Sequence, residues 1–303
     1  MTLVNTTESV DRSSRSRMRS VSSRLLRRCR RLYVESRWKY LGYDFLELAR
    51  NTRLLLHRNS RYCQLLRPGD FEAAEQDFLR RFLRSGDIFV DVGANIGLFT
   101  LLAGHLVGPS GRVLAFEPCS STFNRLLRNV RRNGMSHISC YRLALSNTVG
   151  VARLSASRSG FDAWNSLAGS LTEGIFDEES VPTTTWDAFA ARYPDYSSLE
   201  MMKIDVEGWE MCVLEGAQAL LRSALAPHLQ VEFTPANALA AGHSCEELFE
   251  RIRDFGYRLY RYVPDDGQLK ELDRAPTSVF CNLYASKRAD EIVKRIRRPA
   301  KRV

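Results

Sequence analysis

Short apolar runs alternate along the middle of the chain with segments whose apolar residues recur at helical spacing. The runs at Ile88–Val92, Arg112–Phe116 and 138–145 have the length and composition of buried strands. Each of the first two is followed by a segment with the period of an amphipathic helix. This β-α-β-α-β order predicts an α/β fold, in which parallel strands are joined by right-handed helical crossovers.

The second half of the chain continues the pattern. Residues 201–210 predict a strand that runs into an acidic turn, and residues 229–233 predict the next strand, with a helix after each. Residues 258–263 and 279–285 predict two final strands that lie across a polar turn at 265–267. The complete pattern is that of one sheet with helices between most of its strands.

Two stretches interrupt this alternation. Apolar residues between positions 38 and 56 are spaced as in a helix, which we expect to pack on the edge of the domain. Residues 146–184 are rich in Ser, Gly, Asn and Thr and sustain no period, and a connection of this length in a compact domain is usually functional. We therefore expect a lid over a binding site, with candidate contacts at Trp164, Asn165 and Ser166; for Trp164 the alternative is a place in the core.

The basic charge is concentrated at the two ends of the chain. The net charge is +9 over 303 residues, yet residues 12–31 hold nine arginines and no acid, and residues 287–303 hold eight basic and two acidic residues. The body between them is mildly acidic, which argues against a nucleic-acid-binding catalytic surface, because such a surface carries a basic face of its own. We divide the chain into a basic N-terminal extension (1–65), disordered in part and then helical, a central domain (66–286) and a basic C-terminal tail (287–303). For the Arg-rich start of the extension, contact with anionic lipid and an organellar transit peptide are the alternatives to a solvated tail.

Cysteine usage and hydropathy bear on the compartment. Seven scattered cysteines without a close Cys-x-x-Cys pair are typical of free thiols in a reducing environment. No apolar run approaches the ~18 residues that span a membrane, and the N-terminus lacks the apolar centre of a secretory signal. These features predict a cytoplasmic protein, and they do not indicate an oligomeric state.

A glycine turn after the first strand of the unit is the main candidate for ligand binding. From Asp91 to Gly97 it reads Asp-Val-Gly-Ala-Asn-Ile-Gly, so that a strand passes into a helix whose N-terminal N–H groups face the end of the sheet. Glu117, which follows the next strand, stands at the distance from this turn at which an acid reaches a ribose in nucleotide-binding βαβ units. The turn lacks the third glycine of dinucleotide-binding proteins, and an acid within it suits the sulfonium and amino-acid part of S-adenosylmethionine better than a pyrophosphate.

The glycine turn belongs to a larger set of motifs. In chain order these are residues 86–97, 116–118, 129–134, 181–189 and the acidic turn at 203–210. With this ordered set the chain resembles the FkbM family of S-adenosylmethionine-dependent methyltransferases, within the class I methyltransferase superfamily. The resemblance implies a Rossmann-like α/β fold, with a mostly parallel seven-stranded sheet, helices on both of its faces and a C-terminal antiparallel hairpin.

The resemblance also implies a reaction and a cofactor site. Many members of the family methylate hydroxyl groups, often on sugars or polyketide-type products, which implies O-methylation of a sugar, a glycan or a secondary metabolite. The cofactor would lie along the glycine turn and the ends of the next two strands. The implied contacts are Asp91, Gly93, Asn95 and Gly97 for the methionine part, Glu117 for the ribose, and Ala144 and Leu145 for the adenine.

Acidic residues after the fourth and fifth strands are the candidates for catalysis. In methyl transfer to a hydroxyl, the enzyme positions the acceptor and removes its proton. Asp205 is the candidate to hold or deprotonate this hydroxyl, with Glu207 and Glu232 as supporting carboxylates. The same three residues are candidate ligands of a divalent ion such as Mg²⁺, which would lower the pKa of the hydroxyl. For Glu207 the alternative is a cap on the N-terminus of the following helix.

Two other functions remain open from the sequence. A nucleotide-cofactor oxidoreductase would bind NAD(P), although the third glycine is missing. A non-catalytic scaffold would keep the fold and bind membranes or polyanions through its basic ends, although it would have no need of acids at the ends of three strands. A nucleic-acid amino methyltransferase is disfavoured, because the turn after the fourth strand reads Asp-Val-Glu-Gly instead of Asn/Asp-Pro-Pro-aromatic. The expected partner is a small-molecule or glycan acceptor.

Overall fold

The structure, a computed structural model, describes residues 33–157, 167, 176–193, 199–276 and 280–297. Within these ranges the strands are β1 (Tyr43–Ala49), β2 (Thr52–His57), β3 (Ile88–Val92), β4 (Arg112–Phe116), β5 (Ile138–Tyr141), β6 (Ala144–Leu145), β7 (Gly150–Ser157), β8 (Phe176–Thr184), β9 (Met201–Ile204), β10 (His228–Phe233), β11 (Arg258–Val263), β12 (Gln268–Leu272) and β13 (Cys281–Ser286). The helices are α1 (Arg61–Leu66), α2 (Ala73–Phe82), α3 (Leu98–Val107), α4 (Ser120–Arg132), α5 (Trp186–Ala190), α6 (Glu210–Glu215), α7 (Gln218–Arg222), α8 (Pro235–Ala240), α9 (Cys245–Asp254) and α10 (Ala289–Ile296), with a short π-helical turn at Arg37–Leu41.

Eight strands form the central sheet, in the order β12-β11-β13-β10-β9-β3-β4-β5. The neighbours from β10 to β5 are parallel, whereas β13 runs antiparallel to both β10 and β11. The predicted α/β fold and its C-terminal antiparallel pair are confirmed. Because β3 lies between β4 and β9, the strand order reverses there, and a crevice opens at the carboxyl ends of these strands.

The expected number of seven strands is wrong by one. Residues after the polar turn at 265–267 form β12, which pairs antiparallel with β11 and becomes the edge of the sheet. The predicted strand at 138–145 is also divided in two. Its first half is β5 of the central sheet, and its second half is β6 of a separate three-stranded sheet.

Side chains of the central strands alternate between two hydrophobic layers. Phe89 packs with α2, α3 and α10 on one face, and Val90 and Val92 pack with α6, α7 and α9 on the other. A parallel sheet covered on both faces has apolar residues on both sides of its strands. This explains the unbroken apolar runs in the sequence.

The predicted helix between positions 38 and 56 is wrong, because this segment contains the antiparallel hairpin of β1 and β2. Asn51 adopts a left-handed conformation (φ 63°) in the tight turn between them. The backbone N–H of Leu55 donates to Asn129 Oδ1 of α4 (2.9 Å), and Leu54 is fully buried in the layer that contains α3. The hairpin therefore packs on the central domain, and the hydrogen bond that β2 donates to a side chain of α4 favours an extended strand over a helix.

The segment at 146–184 is more regular than its composition suggests. β7 and β8 pair antiparallel along eight residues each, and β6 adds a short parallel strand. Leu154 of β7 and Val181 of β8 are both buried in a small hydrophobic cluster. The candidate contacts Trp164, Asn165 and Ser166 lie outside the described residues.

The predicted C-terminal tail is wrong for residues up to 297. These residues include α10, whose Ile292 and Ile296 are fully buried against the central sheet. Arg295 of the same helix forms an ion pair with Asp87 (2.6 Å). The basic charge of this segment therefore lies partly on a packed amphipathic helix. Among the described parts of the chain, no helix is long and apolar enough to cross a membrane.

Candidate active site

A pocket with about 980 Å³ of empty space opens at the carboxyl ends of β3, β4, β9 and β10. This is the edge of the sheet at which open α/β folds bind ligands. The glycine turn and the ends of β4 and β6 form one side of the pocket. The acidic turn after β9, the end of β10 and the segment before α2 form the other side.

Gly93 allows two chain segments to meet at the centre of the pocket. Its backbone has a φ of 81°, and a Cβ atom added to it would lie 1.8 Å from the backbone oxygen of Asp205. A larger residue is excluded because the turn after β9 passes directly over it. Gly93 thus brings the glycine turn beside Asp205, one of the predicted catalytic residues.

Glu117 is held rigidly at the edge of the glycine turn. It is 6% exposed, and its two carboxylate oxygens accept hydrogen bonds from the backbone N–H groups of Asn95 (2.9 Å) and Cys119 (3.0 Å). Asn95 adopts a left-handed conformation (φ 49°), which turns its N–H toward this carboxylate. Each oxygen of a carboxylate has a second lone pair, so Glu117 can still accept hydrogen bonds from a ligand.

Asp91 lies behind the pocket wall, whereas the sequence analysis expected it to contact the cofactor. It is 1% exposed, its Oδ2 accepts a hydrogen bond from the Thr100 hydroxyl (2.6 Å), and its Oδ1 lies 3.9 Å from Lys203 Nζ. Burial raises the pKa of Asp91, and Lys203 opposes this rise. Gly97 also lies away from the lining, at the start of α3. The other five predicted cofactor contacts line the pocket: Gly93, Asn95, Glu117, Ala144 and Leu145.

Lys203 is a central residue of the site that the sequence analysis missed. It is 2% exposed, its Nζ donates to Asp205 Oδ2 (2.7 Å), and it lies 4.9 Å from the centre of the Phe99 ring. Burial alone would lower the pKa of Lys203, but the carboxylates of Asp205, Asp91 and Glu72 raise it above its ordinary value. A lysine within a strand that is otherwise apolar was the available signal, because a buried ammonium group requires carboxylate partners.

The three predicted catalytic carboxylates converge. One oxygen from each of Asp205, Glu207 and Glu232 lies within 4.8 Å of the others. Glu207 accepts a hydrogen bond from Asn237 Nδ2 (2.6 Å), and Glu232 Oε1 accepts one from the Thr234 hydroxyl (3.1 Å). The second oxygen of Glu232 is buried and has no hydrogen-bond partner among the residues that the structure describes.

This cluster holds more negative charge than its surroundings neutralise. Burial, and then the charge of Asp205, raise the pKa values of Glu207 and Glu232 well above their usual range. Buried carboxylates in such proximity retain protons near neutral pH unless a cation replaces them. The pocket is therefore suited to a cationic ligand or a metal ion.

The turn after β9 is capped by a different residue from the one considered in the sequence. Oε1 of Glu210 accepts hydrogen bonds from the backbone N–H groups of Val206 (3.0 Å) and Gly208 (3.2 Å). Burial raises the pKa of Glu210 to about 7. Glu207, with a left-handed backbone (φ 54°), lines the pocket. Glu210, rather than Glu207, accepts the backbone hydrogen bonds of this turn.

The remaining wall comes from segments that the sequence analysis did not connect with the site. Tyr62 of α1 and Phe71 and Glu72 before α2 line the pocket, as does Phe280 before β13. No local pattern distinguishes these residues, since they reach the pocket only through the tertiary packing of the segments that carry them.

Comparison with known proteins assigns the class to which this fold and site belong. Residues 91–259, more than half of the chain, match the family model described as a methyltransferase FkbM domain. The chain therefore belongs to the FkbM methyltransferase family, and the resemblance seen in the sequence is confirmed.

Individual relatives are distant. The chain is 30% identical to the 31-O-demethyl-FK506 methyltransferase FkbM of Streptomyces tacrolimicus, over 45% of this chain and 61% of the relative. It is also 30% identical to the hexuronic acid methyltransferase AglP of Haloferax volcanii, over 49% of this chain and 59% of the relative. The chain thus spans about three fifths of the length of these curated relatives. A crystal structure of methyltransferase FkbM from Methylobacillus flagellatus KT aligns with a TM-score of 0.41 and 18% identity, over 67% of this chain and 44% of that chain.

Proposed function

We propose that this protein is an S-adenosylmethionine-dependent methyltransferase that methylates a hydroxyl group of a sugar, a glycan or a secondary metabolite. One observation carries the proposal: a single pocket joins the glycine turn and Glu117 on one side to the converging carboxylates of Asp205, Glu207 and Glu232 on the other. Membership of the FkbM family supports the class of reaction.

The residues on the glycine-turn side fit the cofactor. Glu117 is fixed by two backbone N–H groups and retains the capacity to accept hydrogen bonds from the two hydroxyls of a ribose. Ala144 and Leu145 present a buried apolar surface that suits an adenine ring. S-adenosylmethionine bound there supplies an electrophilic methyl group, and the nearby carboxylates favour its positive charge. Asp91 acts from behind the wall, through Lys203, rather than by contact with the ligand.

On the opposite side, the acidic residues bind and orient the acceptor hydroxyl. Asp205 lies at the end of β9, partly open to the pocket, and its carboxylate is held in one orientation by Lys203. It can therefore accept a hydrogen bond from the hydroxyl and take up its proton. Glu207 and Glu232 lie close enough to Asp205 to hold a second polar group of the acceptor.

The same three carboxylates form a candidate site for a divalent cation such as Mg²⁺. They offer hard oxygen ligands within 4.8 Å of one another, and a buried oxygen of Glu232 lacks a hydrogen-bond partner in the described part of the chain. Such an ion would lower the pKa of a coordinated hydroxyl. Asp205 can take up the proton of the acceptor hydroxyl without a metal ion. The dependence of methyl transfer on Mg²⁺ is therefore a separate question with its own test.

Titration calorimetry with S-adenosylhomocysteine tests the cofactor half of the proposal. We expect micromolar binding, about −8 kcal/mol, by the wild type, and much weaker binding by Glu117→Ala. Glu179→Ala is a matched control, because Glu179 also accepts a backbone N–H, that of Ser120, but does not line the pocket. A well-folded wild type that does not bind S-adenosylhomocysteine would contradict the proposal. Methyl transfer from radiolabelled S-adenosylmethionine to a panel of hydroxyl acceptors then tests the reaction.

We further propose that the protein acts in the cytoplasm on a small-molecule or glycan acceptor, without a nucleic-acid partner. The six cysteines in the described residues are free thiols, as a reducing compartment favours. The mildly acidic body of the chain also disfavours nucleic acid. The basic segments at 1–35 and after 297 are proposed as solvated tails, with contact to anionic membranes as the alternative.

A further inference from the structure

One wall of the pocket is built by a segment that precedes the family match. Tyr62, Phe71 and Glu72 all line the pocket, whereas the match to the family model begins at Asp91. Tyr62 and Glu72 lie near the acidic turn, since the charge of Asp205 acts on both of them. This wall therefore comes from the region that precedes the family match.

The two aromatic residues of this wall form a rigid apolar surface. The rings of Tyr62 and Phe71 meet edge to face, with their centres 5.6 Å apart and their planes at 90°. Tyr62 is almost completely buried, and Phe71 is partly open to the pocket. Ring faces and edges of this kind bind the apolar faces of ring-shaped ligands.

Glu72 is held in a strained conformation beside these rings. Its φ and ψ angles of 50° and 43° lie in the left-handed region, although it has a full side chain. It stands at the N-cap position of α2, but its side chain makes no capping hydrogen bond. A residue that keeps a strained backbone conformation without capping its helix is a candidate for a functional role.

Strained residues are concentrated around this pocket. Four non-glycine residues with positive φ occur in the described ranges, and three of them line the pocket: Glu72, Asn95 and Glu207. The fourth, Asn51, lies in the turn between β1 and β2, where a left-handed Asn is ordinary. The strained backbone of Glu72 is therefore associated with the pocket and is not explained by the residue type that its turn requires.

The charges around this wall also indicate what it accepts. Lys203 is the one cationic residue among the described pocket residues, and it is engaged by Asp205. An anionic acceptor would thus find no available cation. Burial, followed by the charge of Asp205, raises the pKa of Glu72 to about 8, so its carboxyl group can both donate and accept hydrogen bonds near neutral pH. Hydroxyl groups match such a partner, because they too donate and accept.

We propose that Tyr62, Phe71 and Glu72 form the acceptor subsite, and that it takes an uncharged ring carrying several hydroxyl groups. The ring lies against Tyr62 and Phe71, and one of its hydroxyls forms a hydrogen bond with Glu72. This inference rests on the proposed function, because it assigns the opposite wall to the cofactor. It makes the N-terminal region, outside the family match, the part of the chain that selects the acceptor.

Binding of a matched pair of sugars to the protein saturated with S-adenosylhomocysteine tests the subsite. The probes are methyl β-glucopyranoside, which is uncharged, and the corresponding methyl glucuronoside, which carries a carboxylate, and binding is followed by saturation-transfer NMR at neutral pH in the presence of EDTA. We expect the uncharged sugar to bind and the anionic sugar to bind at least about tenfold more weakly. Glu72→Leu and Phe71→Ala should each lower the affinity for the uncharged sugar about tenfold, the effect of losing one good buried contact.

Cofactor affinity separates this inference from the proposed function. Both variants should bind S-adenosylhomocysteine as the wild type does, and Asn51→Gly, which changes a left-handed residue far from the pocket, should leave both affinities unchanged. Loss of S-adenosylhomocysteine binding in Glu72→Leu, with the fold intact by circular dichroism, would overturn the assignment of this wall to the acceptor. Equal or tighter binding of the anionic sugar, or binding of neither sugar to the saturated wild type, would also overturn it. Failure of the wild type to bind S-adenosylhomocysteine would instead refute the proposed function.

Discussion

Replacement of Lys203 by Met tests whether this residue neutralises the buried carboxylates of the site. Lys203 is 2% exposed, and Asp91, 3.9 Å away, is 1% exposed, so the variant leaves a carboxylate buried without its cation. Breaking a buried pair in this way costs about 3–5 kcal/mol. Asp205 is 20% exposed and can recover hydration, so it adds little. We therefore expect the free energy of unfolding to fall by about 3 kcal/mol.

The loss should depend on pH in a defined direction. Burial already raises the pKa of Asp91, and removal of Lys203, which opposes this, raises it further. A carboxyl group whose pKa is higher in the folded state stabilises the fold below its unfolded pKa, and this contribution disappears as the pH rises through the folded pKa. Lys203→Met should therefore lose more stability at neutral pH than at about pH 5.

Urea denaturation at both pH values measures these effects. Arg153→Met is the matched control, because the ion pair of Arg153 with Glu178 is exposed and should contribute less than about 1 kcal/mol. Adding Asp91→Asn to Lys203→Met should restore part of the lost stability, since it removes the unpaired charge while an amide oxygen can still accept from Thr100. A loss below about 1 kcal/mol, or a loss independent of pH, would refute the reasoning.

Four further tests concern other parts of the protein. Gly93→Ala should destabilise by several kcal/mol in thermal denaturation, because its Cβ would lie 1.8 Å from a backbone oxygen. Gly134→Ala, at a positive φ with open space around it, should cost only about 1 kcal/mol, and equal losses would contradict the packing argument. The affinity for Mg²⁺, measured by calorimetry, should rise with pH, because the pKa of Glu232 is raised and its proton competes with the metal below that pKa. Glu232→Gln should weaken Mg²⁺ binding. A pH-independent affinity would count against the site. Glu72→Gly should raise the stability by up to about 1 kcal/mol by relieving the left-handed strain, and no gain in urea denaturation would show that the conformation is unstrained. Deletion of residues 1–35 should leave the affinity for S-adenosylhomocysteine unchanged, and a loss of binding would show that this segment is more than a tail.

Local patterns in the sequence determined the α/β class and the position of the ligand site. The apolar runs at Ile88–Val92 and Arg112–Phe116 are buried on both faces of the sheet, so each is continuously apolar. Such a run can be recognised in the sequence without knowing which helices and strands pack against it. The wrong helix at 38–56 shows the limit of such signals. Backbone N–H groups of β2 donate to the side chains of Asn129 and Asn133, more than seventy residues away. These hydrogen bonds favour β2 as a strand, and they are absent from any local window of the sequence.

The same division holds for the candidate site. Glu117, Asp205 and Glu232 could be identified because each follows or lies on a strand of the parallel sheet, and the carboxyl ends of such strands meet at one edge. Tertiary structure alone decided that Asp91 lies behind the pocket wall and that Lys203 neutralises it, since both depend on which side chains face each other across β3 and β9. It also decided that Glu72 reaches the pocket, through the packing of α2 on the sheet. Electrostatic pairing and burial are properties of distances in space, and spacing along the chain specifies those distances only within single elements of secondary structure.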